Sequence, residues 1–143
     1  MPESGGTARA SRTLVRRHPL TRSLMAWGPA VIWAAVLFLL SEMPPDSGGG
    51  EFPINDKVLH LGMYAVLGGA LAWAGWRTGK TAALGLILLG TAYGALDEWH
   101  QSFVPGRDPS GWDFVADGVG VVVGFFLLRT VLKAREPGTD GGP

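Results

Sequence analysis

Three sets of polar side chains recur at helical spacing in this chain: Asp56, His60 and Tyr64; Glu98 and Gln101; Asp113 and Asp117. Steps of three or four residues are close to one helical turn, so each set falls on one face of a helix. Arg107 stands between the second and third sets. Carboxylates beside a histidine support three kinds of chemistry: proton transfer near neutral pH, ligation of a divalent cation, or hydrogen bonding to a polar ligand. The guanidinium adds a planar fork that grips a carboxylate or a phosphate.

The elements that carry these groups are oily. Hydrophobic residues make up 47% of the 143 and charged residues 17%, a balance that strains any reading as a soluble domain. Apolar residues gather in blocks at 24–40, 56–76, 81–96 and 112–128. Each is near the length that crosses about 30 Å of hydrocarbon at about 1.5 Å per residue. The expected fold class is an all-α membrane protein, with four transmembrane helices in an antiparallel bundle.

Punctuation between the blocks supports this division. Residues 1–23 read as a basic, flexible N-terminal tail, with five arginines against the single acid Glu3. Residues 24–41 form the first span; no small-x-small cleavage pattern follows, and Pro29 is expected near its start. Pro44, Pro45, Gly48, Gly49, Gly50 and Pro53 make a loop, and Asn55 or Asp56 is placed to cap the second helix. The turn at 77–80 is short enough to make the second and third helices a hairpin. Pro105-Gly106-Arg107-Asp108-Pro109 is a turn before the fourth helix, and 134–143 read as a disordered tail.

Charge sets the expected topology. Arg9, Arg12, Arg16, Arg17, Arg22, Arg77, Lys80, Arg129, Lys133 and Arg135, ten of the twelve basic residues, fall on one side of the four blocks. That side is expected to be cytoplasmic, with both termini inside. The polar sets then begin at the extracellular ends of helices two, three and four and converge in the outer leaflet. Basic residues that flank membrane spans do not make a nucleic-acid surface. Cysteine is absent, which excludes disulfides and thiolate chemistry.

Simpler roles account for several other residues. Gly90, Gly94, Gly120 and Gly124 form two GxxxG pairs that let helix backbones approach. Trp73, Trp76, Trp99 and Trp112 are interfacial anchors, Glu42, Asp46 and Glu51 belong to a solvated loop, and His100 is surface exposed. An ionised Asp117 facing lipid costs a few kcal/mol, roughly 2.5–3.5 on insertion scales, so it must face protein or water. Arg107 is its expected counter-charge. His60 is expected to be held by Asp117, Glu98 or Tyr64.

Taken together, Asp56-Lys57-x-x-His60-x-x-x-Tyr64, Glu98-x-x-Gln101, Pro105-Gly106-Arg107 and Asp113-x-x-x-Asp117-x-x-Gly120-x-x-x-Gly124 resemble the VanZ-like family of small bacterial membrane proteins. The resemblance covers residues 56–128 and makes 56–133 a VanZ-like three-helix core. It implies a multi-pass protein of the bacterial plasma membrane and cell envelope, in a family whose namesake is associated with resistance to the glycopeptide teicoplanin. It transfers no catalytic residue. The family commonly has Asn where this chain has Asp117, which makes the site more anionic unless Asp117 is protonated or paired with His60 or Arg107.

Three functions follow as expectations. The first is a non-catalytic module binding the head of an outer-leaflet amphiphile, a lipid, cell-wall precursor or lipoglycopeptide, through Arg107 and the polar stripe. The second is a membrane enzyme acting on a lipid-linked substrate, with Glu98 or His60 as general base and Asp113 with Asp117 available to Mg²⁺ or Ca²⁺. No HExxH or comparable metal spacing occurs, and no cofactor is assigned. The third is a scaffold whose glycine faces pair with a second copy or another membrane protein.

Overall fold

A computed structural model describes residues 19–43, 55–79 and 82–136. These residues form four α-helices: α1 (Pro19–Ser41), α2 (Asp56–Thr78), α3 (Ala83–Gln101) and α4 (Gly111–Ala134). Most of the N-terminal tail, the loop prolines and glycines, Asp46, Glu51, Lys80 and the last residues of the C-terminal tail lie outside the described residues.

Helix α1 begins five residues before its apolar block, because Pro19 takes the first helical position, where a missing N–H costs nothing. Pro29 therefore lies inside α1 rather than near its start. Asn55, not Asp56, caps α2: its side chain accepts the Lys57 N–H at 3.0 Å. Asp56 adds a negative charge to the first turn, where the helix dipole favours it. Gly79 ends α2 in the left-handed region at φ 70°, its N–H donating to the Trp76 carbonyl. Between α3 and α4 the chain reverses through Gly106, at φ 84°.

α1, α2 and α4 are long and apolar enough to cross a membrane. α3 is the shortest, at 19 residues, and its last two turns hold Asp97, Glu98, His100 and Gln101. Large apolar side chains face outward on every helix, among them Ile32, Val58, Leu88 and Leu127. The interior meanwhile holds His60, Asp97, Glu98, Asp113 and Asp117. An oily outside around a polar inside suits a lipid surface and inverts the pattern of a soluble bundle.

Contacts fix the relative course of the helices. Between α2 and α4 residue numbers climb together: Gly120 meets Leu61, Gly124 meets Ala65, and Trp76 donates to Glu136 at 3.0 Å. Between α2 and α3 they run against each other, Tyr64 reaching Asp97 and Leu71 reaching Gly90. α1 donates from Trp33 Nε1 to the Met63 carbonyl at 2.8 Å and accepts at the Ala34 carbonyl from Tyr93 at 2.6 Å.

α2 and α4 pack most closely. A methyl group at Gly124 would overlap the Ala65 carbonyl, one at Gly120 the Leu61 carbonyl, and one at Gly68 the Val121 carbonyl. Gly90 makes room for Val121 and Leu71, and Gly94 for Asp117 and Tyr64. Both GxxxG pairs are thus used between helices of this chain. Tyr64, Leu71, Val121 and Phe125 fill the core beside them.

Candidate functional site

The polar sets do meet. Asp117 is fully buried at the second turn of α4, in the space that Gly94 leaves on α3. Its Oδ1 lies 3.0 Å from His60 Nδ1, across the close α2–α4 contact. Of the three partners open to His60, Asp117 is the one at hydrogen-bonding distance. With Nδ1–H as donor to a carboxylate, Nε2 becomes the basic nitrogen of the ring.

Glu98 enters from α3. One oxygen, Oε2, accepts the Ser110 N–H at 2.8 Å, which ties the end of α3 to the start of α4. The other, Oε1, is 4.0 Å from His60 Nδ1 and has no hydrogen-bond partner. Asp117 Oδ2 and Asp113 Oδ1 are likewise buried without a hydrogen bond. Among the described residues Glu98 Oε1 and Asp117 Oδ2 are conspicuous, because a buried acceptor without a donor costs about 1–3 kcal/mol, whereas Asp113 Oδ1 faces the Lys57 ammonium.

Exposure rises from this centre toward the end of the bundle. His60 and Glu98 are 4% and 8% exposed, Asp113 is 6% exposed, and the Lys57 side chain is 50% exposed. Lys57 Nζ lies 3.4 Å from Asp113 Oδ1, an ion pair at the rim. Asp56 is exposed, with a carboxylate oxygen within 4.8 Å of donor atoms of His60 and Asp113. Asp117, His60, Glu98 and Asp113 are thus all buried, and of this group Asp56 and Lys57 are the residues that reach the surface.

Tyr64 and Gln101 belong to a neighbouring network. Tyr64 donates to Asp97 Oδ2 at 3.1 Å, and Gln101 Nε2 donates to the same oxygen at 3.2 Å. Asp97, absent from the sequence-predicted site, is thus a fourth buried acid, satisfied by two donors. Its signal was the pair Asp97-Glu98, which puts carboxylates on adjacent helix faces.

Arg107 is the main correction. It does not approach Asp117. Its guanidinium donates to the carbonyls of Leu40 at 3.0 Å and Met43 at 3.1 Å, at the C-terminal end of α1, where the Leu40 carbonyl also accepts the Met43 N–H. A long side chain in a loop has no periodic face, so sequence spacing gave its charge no direction. Glu42, just past the end of α1, has its Oε1 2.8 Å from His100 Nε2. Glu42 is therefore paired rather than merely solvated, and His100 is half-buried against α1.

Without Arg107, the cationic groups near four buried acids reduce to Lys57 at the rim and His60. The site is rich in acceptors and short of positive charge. It suits a ligand bearing N–H or O–H donors, a cation, or a proton held between His60 and its acids. No protein-family model, curated protein or solved structure matches the chain.

Proposed function

We propose that this chain is a VanZ-like multi-pass protein of the bacterial plasma membrane whose rim of Asp56, Lys57 and Asp113 binds the head of an outer-leaflet amphiphile. In this reading α3 crosses the bilayer with the other three helices, the bundle is antiparallel, and both termini are cytoplasmic. Support for the resemblance is that its separated fragments at 56–64, 98–101 and 113–117 come together at one end. Support for the orientation is that Arg22 donates to the Arg77 carbonyl at the opposite end, near Glu136, in the basic half of the chain.

The observation that carries the binding reading is the acceptor-rich cluster that reaches the surface at Asp56 and Lys57, in a molecule with an apolar exterior. Lys57 suits an anionic group, and the acids beside it suit amines and hydroxyls. Lipid headgroups, cell-wall precursors and lipoglycopeptides all combine these groups. The test is native mass spectrometry of the protein released from nanodiscs containing a panel of such amphiphiles. Retention of one headgroup class above its share of the membrane is expected; retention in proportion to membrane composition contradicts the reading.

One observation favours an enzyme as the second reading. Asp117 orients the His60 ring as a general base is usually oriented, with Glu98 beside it. Product formation from a labelled lipid-linked substrate, lost in His60→Gln, is its test.

A further inference from the structure

The His60, Glu98 and Asp117 side chains leave a specific deficit. Each is at least nine-tenths buried, they come from three different helices, and each can offer one ligand atom within 4.8 Å of the others. Two carboxylates and a neutral imidazole carry more negative charge than the protein neutralises there, since Arg107 is committed to the end of α1 and Lys57 to Asp113. Burying such charge without a counter-charge costs several kcal/mol per ion.

We propose that His60, Glu98 and Asp117 bind a divalent transition-metal cation, of the Zn²⁺ or Mn²⁺ class. The donor set of one imidazole nitrogen and carboxylate oxygens suits these ions, whereas Mg²⁺ and Ca²⁺ favour all-oxygen sites. Bonds of about 2.1 Å put neighbouring ligand atoms roughly 3.0–3.5 Å apart around an ion. His60 Nδ1, which would release its proton to solvent on ligating the ion, stands 3.0 Å from Asp117 Oδ1 and 4.0 Å from Glu98 Oε1, distances that bracket this range. The unpartnered Glu98 Oε1 is the atom that points to a ligand, because its twin Oε2 is fixed by the Ser110 N–H and so aims Oε1 at the histidine. Such an outer hydrogen bond is how metal ligands are commonly oriented.

Asp113 and Asp56 extend the donors outward, and together with His60 they form a second group of metal-ligand geometry. They mark the path by which a hydrated cation reaches the buried triad. The headgroup reading is not required for this site, since none of the triad residues is among Asp56, Lys57 and Asp113.

The test is a Mn²⁺ titration of the full chain in detergent after chelator treatment, followed by electron paramagnetic resonance and competed with Zn²⁺. Saturable binding of about one Mn²⁺ per chain is expected, displaced by Zn²⁺ and weakened at least about tenfold in the near-isosteric Glu98→Gln and Asp117→Asn variants. Asp108→Asn, in the exposed loop, is expected to bind as the wild type does. Coupling of bound Mn²⁺ to one imidazole nitrogen, read from the wild type by pulsed resonance, keeps the test decisive if a variant misfolds. Absence of saturable binding, absence of that nitrogen coupling, or equal affinity in folded Glu98→Gln and Asp117→Asn overturns the proposal.

Discussion

His60 on α2 and Asp117 on α4 meet at 3.0 Å inside the bundle, and Gly94 on α3 gives Asp117 the room to be there. The pair joins helices that are 57 residues apart in sequence and run the same way. Removing His60 leaves a fully buried acid without its nearest partner. His60→Ala is expected to destabilise the protein by about 3 kcal/mol, and Asp117→Asn, which keeps an acceptor for the ring, by about 1 kcal/mol. Denaturant unfolding in mixed micelles measures both; equal effects would remove the distinction between charge and hydrogen bond.

Tyr64 is the principal test of the neighbouring network. Its hydroxyl donates to Asp97, which Gln101 also serves. Tyr64→Phe retains the ring packing and removes one donor, so a loss of about 1–2 kcal/mol is expected in the same unfolding assay. The unchanged stability of Tyr64→Phe would mean that Gln101 alone satisfies the acid.

The glycines separate packing positions from spacer positions. Gly120→Leu and Gly124→Leu place side chains into the backbone of α2 and are expected to cost at least about 3 kcal/mol or to prevent folding. Gly62→Ala meets nothing within 4 Å and is expected to be neutral or to stabilise by up to about 1 kcal/mol through helix propensity. Thermal unfolding followed by circular dichroism distinguishes the two classes.

Arg107→Ala is expected to loosen the end of α1 rather than the buried site. The Met43 carbonyl loses its Arg107 donors, and the Leu40 carbonyl keeps the Met43 N–H alone. Hydrogen exchange should quicken in residues 38–43 while protection around His60 and Asp117 stays as in the wild type. Faster exchange at Asp117 would return Arg107 to the role of its counter-charge.

Orientation is accessible because the chain has no native cysteine. Ser102→Cys, at the polar end, is expected to react with a membrane-impermeant maleimide on intact cells, and Glu136→Cys only after lysis. The reverse labelling would invert the topology.

The helices and most of the site were legible in the sequence because a repeat of three or four residues maps directly onto a helix face. Asp56, His60, Glu98, Asp113 and Asp117 were found in this way. Arg107 was misread because a loop has no such repeat. Asp97 was passed over because its neighbour Glu98 fitted the face being followed, and only the approach of Tyr64 from α2 gives it a partner. Gly68 escaped for a related reason: it stands outside any GxxxG pair, and its close contact with Val121 depends on how α4 lies against α2.

The proposed binding of a headgroup at Lys57 and Asp113, with Arg107 serving the fold, has a direct test. Native mass spectrometry of nanodisc-derived protein compares the wild type, the Lys57→Ala, Asp113→Asn double variant, and Arg107→Ala in one lipid panel. Selective lipid retention is expected for the wild type and Arg107→Ala, with its loss in the double variant. Loss in Arg107→Ala with retention in the double variant would contradict the proposed binding.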